Sequence, residues 1–152
     1  MQDTHNCDAL AAALLDLVGL LNSPRQDDIL LREAGVSIDR ALFPLLVRIG
    51  AAGSLSVVEL ADQVGRDHST ISRQMARLES LALISRRRGA RDQRVHEAAI
   101  TDDGKRAVRA ITAARRRLLG KLLSDWRPED REALARLNRR LADAMRTARL
   151  TE

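Results

Sequence analysis

The sequence has no tyrosine, one phenylalanine (Phe43) and one tryptophan (Trp126) among its 152 residues. Without aromatic platforms, a protein that stacks the bases of a single strand on its side chains is excluded on composition. Cys7 is the only cysteine, so no intramolecular disulfide forms, and a reducing, cytoplasmic setting fits best. Asn6 and Asp8 flank that thiol, and nearby acid disfavours a reactive thiolate. His5, His68 and His96 share no metal-ligand spacing with one another or with Cys7, so no metal is expected. Long hydrophobic runs are lacking too. The longest apolar stretch, residues 9–21, contains Asp16 and falls short of the ~20 apolar residues that span a membrane. The polar start MQDTHNCD lacks the basic segment of a secretory signal. Neither a glycine-rich phosphate loop nor a Gly-x-Ser-x-Gly elbow is present, so no enzyme and no cofactor are expected.

What the chain does have is leucine, alanine and arginine, all of which favour helix. Apolar residues make up 45% and charged residues 31%, an ordinary globular balance. The net charge is +5, and its placement is informative. Between Arg66 and Arg94 lie eight arginines (66, 73, 77, 86, 87, 88, 91 and 94) against the acids Asp67, Glu79 and Asp92. The excess of that window equals the net charge of the whole chain. Such a local excess is the electrostatic footprint of a polyanion binder.

Apolar periodicity predicts a helix over residues 9–21, a mixed connection over 23–37 and a helix capped by Ser37 that carries Leu42, Leu45, Leu46 and Ile49. Pro44 lies inside that last helix, so either a kink or a start nearer Pro44 is required. Ser56 opens a short helix that Gly65 closes, and Asp67 caps a longer one over residues 68–81. Residues 83–101 read as two short strands around an arginine-rich loop, with Gly89 near the turn. Thr101 caps a helix running to about Leu123, which is expected to bury Val108, Ile111, Leu118 and Leu122. Pro128 starts the last helix, where Leu134, Leu137, Leu141 and Met145 form a narrow seam suited to another helix.

The segment VVELADQVGRDHSTISRQMARLESL, residues 57–81, has the form of a helix-turn-helix. Ala61 is small where the two helices cross, Gly65 suits a positive φ in the turn, and Ile71 plugs the second helix onto the first. The outward face of that second helix carries Ser69, Ser72, Arg73, Ala76, Arg77 and Ser80, with no acid among them, and Thr70 is a further candidate DNA contact. Small residues let a helix sink into the major groove. Arginine bonds guanine bidentately, and hydroxyls reach phosphates or bases. The following hairpin, SRRRGARDQR, is a candidate wing. It would lay Arg86, Arg88, Arg91 and Arg94 along the backbone or into a narrow minor groove, with Asp92 orienting a neighbouring arginine.

On DHSTISRQMARLE (residues 67–79), the Asp92-Gln93-Arg94 element and ITDDGK (residues 100–105), the chain resembles the MarR family of winged-helix regulators. The resemblance implies a mainly α fold with a small β-hairpin wing: a winged helix-turn-helix flanked by N- and C-terminal dimerisation helices. It implies a dimerisation arm over residues 1–36, a DNA-binding region over 37–101 and C-terminal dimerisation helices over 102–152. It further implies a homodimer on double-stranded, near-palindromic operators, usually a repressor, with Arg94 in the minor groove and Asp92 bracing the wing against an arginine of the recognition helix. A small organic effector would bind between the dimer helices and the reading head; Leu45, Leu46 and Val108 line such a pocket or belong to the core. Two other readings stay open: an adaptor that uses the same surface for proteins, and a nonspecific DNA-coating protein. The face over residues 68–81 lacks the aromatic anchors that protein interfaces use, which counts against the adaptor.

Overall fold

A computed structural model describes residues 2–149. It contains seven helices and three strands: α1 (Gln2–Leu21), α2 (Pro24–Ala34), α3 (Phe43–Ala52), β1 (Ser54–Ser56), α4 (Val57–Val64), α5 (His68–Ser80), β2 (Ile84–Arg88), β3 (His96–Ile100), α6 (Asp102–Leu122) and α7 (Pro128–Arg149). The chain divides into two compact units, with the boundary inside α6 between Arg115 and Arg116.

Several expectations need correction. The first helix starts at Gln2 rather than near residue 9, so the polar N-terminal segment continues the helix. The mixed connection is instead a helix, α2, with Pro24 in its first turn and Gly35 closing it in the left-handed region at φ 66°. Pro24 therefore both ends α1 and begins α2. Of the two alternatives for the third helix, the start nearer Pro44 holds: it begins at Phe43 rather than after a Ser37 cap, which places Pro44 in the first turn, where a missing N–H costs nothing. The wing has a third strand: β1 pairs antiparallel with β3, and β3 with β2, in the order β1-β3-β2.

The core of the first unit takes in the apolar positions expected on α3 and α5 and adds residues of α4 and of the sheet that periodicity did not name. Leu45, Leu46 and Ile49 of α3, Leu60 of α4, and Ile71, Met75 and Leu78 of α5 have no exposure. Leu55 of β1, Ile84 of β2 and Ala98 of β3 close the cluster from the sheet. Each such Leu or Ile contributes roughly 1.5–3 kcal/mol on burial. Leu45 and Leu46 are thus core residues, and Val108 of α6 packs against the same cluster.

The wing is rooted on α6. Thr101 N donates to the Leu83 carbonyl (3.1 Å) and Thr101 Oγ1 to the Ala82 carbonyl (2.7 Å). Thr101 Oγ1 also accepts from Gly104 N (3.0 Å), which caps α6 as expected. Gly104 sits so close to β2 that a Cβ there would lie 2.1 Å from the Leu83 carbonyl oxygen. Ala82, between α5 and β2, holds φ 58°, a left-handed conformation that usually calls for glycine.

The terminal helices differ. No described residue of α1 or α7 is buried. Leu15 is 73% exposed, and Leu137 and Met145 are exposed on α7. Leu122, expected to be buried, is also exposed, and Leu118 is half-buried. The segment Thr4–Leu21 of α1 is long and apolar enough, by length and composition, to cross a membrane; the short count based on residues 9–21 missed this because the helix extends further toward the N-terminus.

Candidate nucleic-acid interface

The helix-turn-helix is set by local chemistry. Ser56 and Glu59 form a reciprocal capping box: Glu59 N donates to Ser56 Oγ (3.2 Å) and Ser56 N to Glu59 Oε2 (2.8 Å). Gly65 ends α4 at φ 67°. Ala61 is buried at the crossing and Ile71 is fully buried beneath it.

Asp67 caps α5. Its Oδ1 accepts from Thr70 N (2.8 Å) and from Ser69 Oγ (2.6 Å), and its Oδ2 accepts from Thr70 Oγ1 (2.6 Å). The Ser69 hydroxyl, with the two Thr70 donors, holds the Asp67 carboxyl well below the usual carboxylate range. The hydroxyl protons of Ser69 and Thr70 are therefore directed to Asp67 rather than outward, which the spacing of residues did not reveal.

The rest of the face is open. Ser69, Arg73, Ala76, Arg77 and Ser80 are exposed, while Thr70 and Ser72 are half-buried. Arg73 makes only a long contact to Thr70 Oγ1 (3.4 Å), and Ser80 Oγ donates to the Arg77 carbonyl (2.7 Å). Glu79, on the flank of α5, pairs with Arg86 (3.6 Å).

The wing arginines divide by what they touch. Arg86 also donates from Nη2 to the Ser72 carbonyl (3.4 Å), so this arginine ties β2 to α5. Arg87 donates to Ser54 Oγ (2.9 Å) and lies 3.9 Å from Glu97, which joins all three strands. Asp92 does not reach an arginine of α5; its partner is Arg94. Asp92 Oδ1 accepts from Arg94 N (3.0 Å) and from Arg94 Nε (3.3 Å), while the Arg94 side chain remains 92% exposed. The arginine that ties the wing to α5 is Arg86, held by Glu79. Among the described residues, Arg77, Arg88 and Arg91 have no acidic partner within ion-pair distance.

The tip itself is shaped by Gly89. It is buried, its N donates to the Val95 carbonyl (2.7 Å), and a Cβ would meet the Asp92 carbonyl oxygen at 2.8 Å.

Two clefts border the helix-turn-helix. One, of about 480 Å³, lies between residues 37–42 and α5, with Arg73, Gln74 and Arg77 on its wall. The other, of about 730 Å³, is lined by Leu21, Phe43, Pro44 and Val47 together with Arg40, Arg48, Arg66, Arg115 and Asp27. Burial pushes the Asp27 carboxyl up from its ordinary value, against the opposing pull of Arg40. Cys7 is exposed on α1, away from these features in sequence.

A capped helix-turn-helix followed by a hairpin rich in exposed arginine, with β1 completing the sheet, defines a winged-helix DNA-binding protein. The MarR family model matches residues 38–96. The HTH-type transcriptional regulator YxaD of Bacillus subtilis is 32% identical over 108 residues, covering 71% of this chain and 76% of that protein. The HTH-type transcriptional repressor MdtR of the same organism is 29% identical over 103 residues, covering 68% and 66%. A MarR family protein from Bacillus stearothermophilus superposes with a TM-score of 0.80 at 22% identity, covering 93% of this chain and 96% of that one, a likeness of fold. The chain belongs to the MarR family. It is a DNA-binding transcriptional regulator and not an enzyme.

Proposed function

We propose that the protein is a homodimeric repressor that reads a near-palindromic operator and is released by a small organic anion. The observation that carries this reading is the acid-free outer face of α5, continuous with the unpaired arginines of the wing. In this reading α5 enters the major groove. Arg73 and Arg77 face base edges, where a bidentate contact is worth about 1–3 kcal/mol of discrimination. Arg88 and Arg91 neutralise phosphates, and Arg94 reaches the minor groove by exchanging Asp92 for the stronger potential there. Arg86 holds the wing against α5 rather than touching DNA. Ser69 and Thr70 act through the cap, which sets the start of α5.

Dimerisation falls to the exposed apolar faces of the N- and C-terminal helices, α1 and α7, with residues 37–101 as the reading region between them. Repression is supported by the likeness to MdtR. The larger cleft, with four arginines around an apolar floor, suits a carboxylate on a hydrophobic body.

Selection of sheared genomic DNA by the purified protein, followed by sequencing, tests the reading. A short near-palindromic motif is the expected result, and Arg73→Ala should lose about tenfold or more on that motif and little on random DNA. Diffuse recovery with no motif would favour a nonspecific coat and overturn the repressor reading.

A further inference from the structure

Arg66 stands in the turn between α4 and α5, half-buried, with its guanidinium directed inward. Nη1 donates to the Ala41 carbonyl (3.0 Å) and to Gln74 Oε1 (2.9 Å). Ala41 belongs to the segment before α3, and Gln74 follows Arg73 on α5. Among the described residues no acid lies within ion-pair distance of Arg66, so a carbonyl and an amide hold it. Such charge-assisted bonds are the strong and directional ones.

The apolar side of α5 packs through Ile71, Met75 and Leu78. That packing fixes depth but is non-directional, and it leaves the helix some freedom to turn about its own axis. Gln74 projects from the flank of α5, between the buried stripe and the outer face. A permanently charged guanidinium whose Nη1 bonds both Gln74 on that flank and the Ala41 carbonyl ties the flank to the segment before α3 and opposes such turning. Ala41 borders both clefts, Gln74 the smaller and Arg66 the larger, so the bracket is the wall between them.

We propose that Arg66 is a positioning residue for DNA reading: through Gln74 it sets the rotation of α5, and hence the aim of Arg73 and Arg77, without touching DNA itself. The inference rests on α5 being the groove-bound helix. It predicts that Arg66 governs discrimination between sequences and not attraction to the phosphate backbone. Bidentate contacts to a base edge need an aimed side chain, whereas phosphate attraction tolerates misalignment.

The test uses Arg66→Met, which keeps the length of the stem and removes the donors. Binding is measured on the motif recovered by genomic selection and on a random duplex of equal length, over a series of salt concentrations. Affinity for the motif should fall about tenfold. Affinity for the random duplex, and the slope of log affinity against log salt, should be unchanged. Arg66→Lys should recover part of the loss. Gln74→Met should lose discrimination in the same direction, and the double variant should lose no more than Arg66→Met alone, because Arg66→Met already removes the bond to Gln74.

Equal losses on both duplexes with a slope reduced by about one would make Arg66 a phosphate contact and overturn the proposal. Losses that multiply in the double variant would overturn it as well. If Arg66→Met fails to fold, Arg66→Lys and Gln74→Met carry the same comparison. An unchanged affinity of Arg73→Ala and Arg77→Ala for the motif would instead remove α5 as the reading helix, a failure separate from that of Arg66.

Discussion

Leucine does opposite things in two parts of this molecule. In the reading head, Leu45, Leu46, Leu60 and Leu78 are wholly buried. On the terminal helices, Leu15, Leu20, Leu134 and Leu137 face outward. The head buries these leucines against its own α3, α4, α5 and sheet. The terminal helices instead carry large apolar side chains at the surface, and the proposed homodimer would use them as its interface. If the proposed dimer forms, the difference separates what folding needs from what assembly needs.

The largest effect is expected where the comparison is broken on the assembly side. Replacing Leu137 and Leu141 together with Asp should leave the head folded and give monomers by light scattering. Operator affinity should fall on the order of 100-fold, because two half-sites no longer bind as one. A variant that remains dimeric would move the interface off α7.

The next effect strikes the head. Gly104→Ala drives a Cβ into the Leu83 carbonyl, backbone that cannot step aside. A loss of about 3 kcal/mol is expected in denaturant unfolding. An unaltered midpoint would mean that β2 and α6 are not packed as described.

A smaller effect concerns the cap of α5. The Asp67 carboxyl is depressed in the folded chain, so its contribution is full above the ordinary carboxylate pKa of about 4 and is lost as pH falls through the folded value. Asp67→Asn keeps a capping side chain but cannot titrate. The gap in melting temperature between the two proteins should close as pH drops below about 4, and a gap that stays constant would show that the charge is not what matters.

The smallest effect has the opposite sign. A Cβ at Gly19 of α1 meets nothing within 4 Å. Gly19→Ala should raise stability by roughly 0.5–1 kcal/mol through helix propensity. A loss would show that something packs closely on that face in solution, sharpening where the second copy lies.

The head was the legible part of the sequence, because its signals are local. Ser56, Gly65, Asp67 and Thr101 each act on backbone groups a few residues away, and all sit where the pattern placed them, whereas the reciprocal partner Glu59 emerges only in the fold. The apolar period of α3 and α5 named the core. α2 escaped because its pattern is short and charged, and because Pro24 serves two helices at once. β1 escaped because three residues carry no period. The wing's ion pairs were not readable either. Whether Arg86 meets Glu79 or Asp92 meets Arg94 depends on where strands return, not on spacing along the chain. Arg66 counted toward a basic window in the sequence, yet in the fold its charge is turned inward.

The seating of Gly104 under Leu83, with Thr101 bonded to both Ala82 and Leu83, has a consequence for motion. The root of the wing and the first turn of α6 have no space to separate a little; they part completely or not at all. Their amides should therefore exchange with solvent at a common rate, as one cooperative opening. A displacement of that turn of α6 would then be transmitted to the wing without slack.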